Sequence, residues 1–215
     1  MNIILFGATG QIGRQILDQA LERGHKVTAF VRDASKLNVT HPNLSVAEGD
    51  ARDAQFVAAA MPGHDAVVSA LGPGGPEVSD KYLDILTDGT RHLVEGMKAA
   101  GLRRIVALGS VATLNATPDT LLRDMPGFPA FARNISGAHL ESLKTLQASG
   151  LDWTVLCPAP VVEPGERTGH YRVRADFVLE GDPQSTKITT GDAADFVLNE
   201  VEQNKYIGHR VNIAY

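Results

Sequence analysis

Two hydrophobic rhythms alternate along this chain: short runs that are apolar almost throughout, and longer stretches with apolar residues three and four apart. Asn2-Ile3-Ile4-Leu5-Phe6 is the first of the short runs, and Ile12, Ile16, Leu17, Ala20 and Leu21 form the first helical stripe. The pairing recurs. Strands are expected at Lys26–Val31, Leu44–Glu48, Asp65–Ala70, Arg104–Leu108, Trp153–Cys157 and His209–Ala214. Helices are expected from Asp53, as a cap, to about Ala60, from Leu83 to Ala100, from Asn134 or Ser136 to Gly150, and from about Thr190 to Gln203. Gly72 to Pro76 is a loop, and Pro158 stops the sixth strand. Two segments keep no period. Val111 to Asn134 is expected to be an irregular lid with a helical turn near Leu121, and Glu163 to Asp182 a hairpin or extended loop. Strands buried on both faces read as continuous apolar runs, and strands alternating with helices make a parallel, doubly wound α/β sheet. That is a Rossmann fold, here a single domain over residues 1–215 with substrate loops at about 111–134 and 158–186.

In such sheets ligands bind beyond the carboxyl ends of the strands. The first of these ends carries Gly7-Ala8-Thr9-Gly10-Gln11-Ile12-Gly13, with glycines three apart. A turn without side chains lets a pyrophosphate approach the backbone, and the following helix offers unpaired N–H groups and a partial positive charge. The other strand ends supply Arg32, Asp50 with Ala51, Ser69 to Gly72 (Ala70 and Leu71 between), Ser110, and Pro158 to Val161. Arg32 stands where a carboxylate would bind the ribose of NAD, and an arginine there pairs with the 2′-phosphate of NADP. Lys36 is expected to add a second cation, while Asp33 caps the turn between them. Asp50 suits the adenine amino group or a capping role equally well. NADP(H) is therefore the expected cofactor.

Bulk composition narrows the partners. The chain has 215 residues, 43% hydrophobic and 21% charged, with a net charge of −5. That balance argues against nucleic acid or an anionic membrane. One cysteine, no apolar run near the roughly 20 residues of a membrane span, and a strand that begins at once fit a cytoplasmic protein without a signal peptide. Nothing separates a monomer from a homodimer.

Gly7 to Gly13, Val31-Arg32-Asp33-Ala34-Ser35-Lys36-Leu37, Gly49-Asp50 and Ser149-Gly150-Leu151-Asp152-Trp153-Thr154 together resemble the atypical short-chain dehydrogenase/reductases. Within them the resemblance is to the NmrA-like branch, and most closely to the biliverdin-IXβ/flavin reductases. It implies Thr9, Gly10, Gln11 and Ile12 at the pyrophosphate, Arg32 and Lys36 at the 2′-phosphate, Asp50 at the adenine, and Ser110 beside nicotinamide and substrate. His139 and Lys144 fall where those relatives carry His and Lys. Pro160 replaces a histidine of the flavin reductases, which argues against tetrapyrrole reduction more than against flavin or quinone reduction.

Many members of the superfamily protonate a carbonyl with a Tyr-x-x-x-Lys pair. Here Leu140 lies four before Lys144, and no tyrosine falls between Tyr82 and Tyr171. His139 and Lys144 project about 140° apart on a helix, so they form no relay. Cys157 has the apolar neighbours of a buried small hydrophobe. A conjugated acceptor needs no strong acid, only two rings held at reacting distance. The expected function is an NADPH-dependent reductase of a flavin, quinone or similar planar acceptor. The alternatives are a non-catalytic NADP(H) sensor, which the missing acid also fits, and a nucleotide-sugar epimerase, for which the chain is short.

Overall fold

A computed structural model describes residues 1–73, 82–179 and 186–215. The first five strands run parallel to one another in the sheet: β1 (Asn2–Phe6), β2 (Lys26–Val31), β3 (Leu44–Glu48), β4 (Ala66–Ser69) and β5 (Arg104–Leu108). A small antiparallel hairpin, β6 (Asn115–Thr117) and β7 (Thr120–Leu121), follows β5. Then come β8 (Asp152–Pro158), β9 (Val161–Glu163), β10 (Arg172–Ala175), β11 (Lys187–Thr189) and β12 (His209–Ala214). The eight-stranded sheet has the order β10-β12-β8-β5-β4-β1-β2-β3, and β9 pairs with β11 apart from it. The helices are α1 (Gln11–Glu22), α2 (Ala54–Ala60), α3 (Asp84–Ala99), α4 (Arg133–Gln147) and α5 (Thr190–Gln203).

The apolar runs explain the layers. Successive side chains of a strand face opposite sides, so Ile3 and Leu5 join one core with α1 and α5 while Ile4 and Phe6 join a second with α3 and α4. Both faces of the sheet are covered, as a Rossmann fold requires. Behind the sheet, buried Arg104 pairs with Glu200 at 2.7 Å. Glu200 also accepts from Thr154 Oγ1 at 3.0 Å and the Tyr206 N–H at 2.9 Å, so the buried charge is well supplied with partners.

Several sequence expectations need correction. The sheet is mainly rather than wholly parallel, because β10 pairs antiparallel with β12 at the edge. Among its described residues the 163–182 stretch makes no hairpin of its own: β10 joins the main sheet and β9, which ends at Glu163, pairs with β11, while residues 180–185 lie outside the described part. Pro158 does not stop β8 but is its last residue, where the sheet still pairs it with Ile213 of β12. Helix α4 begins one residue before Asn134, capped by Ala132 without a side-chain bond. The 111–134 segment is more ordered than its aperiodic sequence implies. It carries three 3-10 turns, at Val111–Thr113, Leu122–Asp124 and Ala130–Ala132, around the β6/β7 hairpin. Arg210 holds this arrangement from β12 by donating to the Thr113 carbonyl and, at 2.7 Å, to Asn115 Oδ1.

Candidate active site

The strand order reverses between β4 and β1, and the glycine turn lies at that switch. Gly7 has φ +83°, and a Cβ on it would lie 2.3 Å from the Ala70 carbonyl oxygen. A Cβ on Gly13 would lie 2.0 Å from the Gly7 carbonyl oxygen. The two positions thus exclude any side chain, which draws β1, β4 and α1 together. Ala70 also donates its N–H to the Phe6 carbonyl at 2.8 Å. Gly10 caps α1 with extended backbone and no side-chain hydrogen bond. Thr9, Gly10 and Gln11 are exposed and Ile12 is half-buried. The rim accordingly meets solvent through main-chain N–H groups at a positive helix end, a donor set that fits a pyrophosphate.

Across from this turn lies a wall drawn mainly from the expected 158–186 substrate loop, joined by Thr190. Pro164, Gly165, Glu166 and Thr190 face Thr9, Gly10, Gln11 and Arg14 around a cleft of about 350 Å³. The Gly191 N–H donates to the Gly165 carbonyl at 3.0 Å, tying this loop to the start of α5. Asp192 adds a second tie. Its carboxylate accepts from the Thr168 and Gly169 N–H groups at 2.7 and 2.8 Å and from Tyr215 Oη at 2.7 Å. Burial works against its charge, but the donors from Tyr215, Thr168 and Gly169 outweigh it and hold the carboxyl below the usual carboxylate range.

Arg32, one residue past β2, is exposed and makes no hydrogen bond or ion pair among the described residues. Its charge contributes to keeping Asp50 below the ordinary carboxylate range, after the larger effect of hydrogen bonds from Arg52. Arg52 Nη2 lies 2.6 Å from Asp50 Oδ2, and its Nη1 lies 3.6 Å from Asp84. Asp50 is thus already partnered, an interaction hidden from sequence reasoning. Lys36 is placed differently from Arg32: it is largely exposed and lies 3.9 Å from Asp33. Asp33 caps the intervening turn as expected, accepting from the Ser35 N–H at 3.0 Å. Ala51 is buried, and its carbonyl lies 3.0 Å from His92 Nδ1. Leu71 is half-buried and Gly72 exposed beyond β4, while most of the following loop, residues 74–81, is outside the described part.

Ser110, half-buried at the end of β5, starts a 3-10 turn by accepting the Ala112 N–H at 3.2 Å. Its hydroxyl proton has no acceptor among the described residues. The strand-end role and a ligand-facing role are therefore compatible, since a hydroxyl accepts and donates at once. Pro158 lies half-buried at the parallel end of β8. Lys144 is exposed, whereas His139 lines an internal cavity with Ser69 and Thr90, so the two are indeed apart. Cys157 is fully buried, and burial pushes its thiol up to about 12. Among the described residues no group of His, Cys, Asp and Glu could hold a metal, and no helix is long and apolar enough to cross a membrane.

Comparison with known proteins agrees with this fold. The Bacillus subtilis protein YwnB, itself uncharacterized, is 33% identical over 219 residues, covering 99% of this chain and 98% of YwnB. Among solved structures, a Burkholderia pseudomallei protein provisionally named as exported is 36% identical with a TM-score of 0.86, each chain covered in full. SP1627 of Streptococcus pneumoniae, provisionally named an NADH-flavin reductase, is 25% identical with a TM-score of 0.84, covering 100% of this chain and 99% of SP1627. A family model described as NAD(P)H-binding matches residues 7–204, from the first glycine of the turn to the end of α5. The chain belongs to the NAD(P)H-binding family of Rossmann-fold proteins.

Proposed function

We propose that this protein is an NADPH-dependent reductase that delivers hydride to a flavin, quinone or similar planar acceptor. The observation that carries the cofactor choice is Arg32, an exposed cation at the end of β2 that makes no hydrogen bond or ion pair among the described residues. A guanidinium there suits a 2′-phosphate, to which it would offer two parallel N–H donors. The provisional name of SP1627 supports the acceptor class, although that name speaks of NADH. Residue 140, where a Tyr-x-x-x-Lys pair ending at Lys144 would have its tyrosine, is leucine, which favours an acceptor that stabilises its own negative charge.

A bound reduced nicotinamide would supply the hydride. The chain's own residues do the rest: main-chain N–H groups from Gln11 to Gly13 hold the diphosphate, and Arg32 holds the added phosphate. Asp50 and Ala51 flank the adenine, with Ala70, Leu71 and Gly72 along the ribose. Ser110 donates a hydrogen bond from its free hydroxyl to the acceptor, Pro158 borders the ring, and the 111–132 segment excludes water above it. Lys36 gives a weaker, exposed second charge. The test is NADPH oxidation by pure protein with a panel of flavins and quinones. Acceptor-dependent oxidation above the uncatalysed rate supports the proposal. Tight NADPH binding with no oxidation by any acceptor favours a non-catalytic sensor instead.

A further inference from the structure

Beneath the ends of β4 and β5 lies a cavity of about 20 Å³, bounded by α3 and α4. Its polar lining comes from Ser69, Thr90, His139 and Ser142. Ser142 Oγ is committed, donating to the Leu86 carbonyl at 2.7 Å. The hydroxyls of Ser69 and Thr90 and the imidazole of His139 make no hydrogen bond among the described residues, although Ser69 and Thr90 are buried. Buried polar groups are costly to leave unpaired, and a polar space above about 10–15 Å³ with two to four partners accommodates one water. The remaining lining is backbone and apolar side chain, such as Leu71, Leu86 and Val155, with no other titratable group. Leu108 and Gly109, the two residues before Ser110, form one wall, so the cavity adjoins the proposed acceptor site.

We infer that this cavity holds one ordered water bound by Ser69, Thr90 and His139, and that His139 with this water relays the proton to the reduced acceptor. The inference rests on the reductase reading. Hydride from the reduced cofactor and one proton together convert a flavin or quinone to its dihydro form. A neutral imidazole donates through one nitrogen and accepts through the other. As the acceptor takes the proton from one ring nitrogen, the other nitrogen takes one from the cavity water in the same step, so no imidazolate forms, and bulk water reprotonates the cavity water. Burial pushes the His139 imidazole down to about 4, which keeps it in this neutral, two-way form at physiological pH.

The test has two arms. In the first, nitrogen-15 NMR of the protein without cofactor follows His139 from pH 8 to 5, together with water-to-imidazole cross-relaxation. The expected result is a ring that stays neutral beside a long-lived water, with the cross-relaxation signal absent in Thr90→Val. Titration near the ordinary histidine value of about 6.5, with no bound water, overturns the inference whatever the enzyme does. In the second, His139→Gln is expected to lower kcat at least 10-fold and enlarge the solvent deuterium isotope effect, with NADPH affinity unchanged. Wild-type kcat and isotope effect in a folded His139→Gln protein overturn the proton role. If the wild-type protein reduces no acceptor, the reductase reading fails and the proton role with it, and the NMR arm alone then decides the water site.

Discussion

Gly13 packs so closely on Gly7 that a methyl group on it would sit 2.0 Å from the Gly7 carbonyl oxygen. Backbone, not a flexible side chain, is what it would meet, so the clash has no cheap escape. Gly13→Ala must push α1 away from β1 and widen the turn. Overpacking of this kind costs about 1–3 kcal/mol. For a chain of this size the melting temperature should fall by roughly 2–4 °C per kcal/mol. NADPH affinity should fall at least 10-fold as the first-turn N–H groups lose their aim. Calorimetric unfolding and cofactor titration of the same sample check both effects; a variant that melts and binds like the parent contradicts the account.

Ser110 is expected to matter for turnover rather than for stability. Its oxygen accepts one backbone N–H, but its proton is free for a ligand. Ser110→Ala should lower kcat/KM for the preferred acceptor by roughly 10–100-fold, the loss of one well-aimed hydrogen bond. NADPH affinity should change by less than a few-fold. Steady-state kinetics with a direct binding measurement separates the two, and unchanged kcat/KM removes Ser110 from the site.

Asp192 should set part of the acid limit of stability. Its folded-state pKa is held below the ordinary value by the Tyr215, Thr168 and Gly169 donors, against the opposing effect of burial. A carboxylate depressed in the folded state contributes stability that is complete above its unfolded pKa, about 3.9. That contribution disappears as pH falls through the lower folded value. Denaturant unfolding between pH 7 and 3 should therefore show a flatter acid limb in Asp192→Asn than in the parent. The variant should also be less stable at pH 7, because an amide cannot accept all these donors. Parallel pH profiles with equal stability at pH 7 would count against this role.

What the sequence discloses and what it conceals divide along physical lines. The central strands, such as Asn2–Phe6, Ala66–Ser69 and Arg104–Leu108, were legible because a strand buried on both faces needs an unbroken apolar run, and local caps such as Asp53, which accepts the Gln55 N–H, mark helix starts. The hairpin at Asn115–Leu121 was not, since Arg210 holds it from the far end of the chain. Strand Arg172–Ala175 lies on a half-exposed sheet edge where charged residues are tolerated, so its pattern resembles a loop. Among the candidate site residues, the glycines and Arg32 announce themselves by position. The Pro164–Glu166 wall falls in the substrate loop expected at 158–186, but its closure on the glycine turn, like the Arg52 clasp on Asp50, depends on tertiary interactions that no local spacing encodes.

The most direct measurement is calorimetric titration of NADPH and NADH into the parent protein and into Arg32→Asp. Charge-assisted bonds of about 1.5–3 kcal/mol to the extra phosphate predict that the parent prefers NADPH by roughly 10–150-fold. Arg32→Asp should abolish that preference while leaving NADH binding within a few-fold. Equal affinities for the two cofactors in the parent, or equal losses for both in the variant, would contradict the assignment of the 2′-phosphate to Arg32.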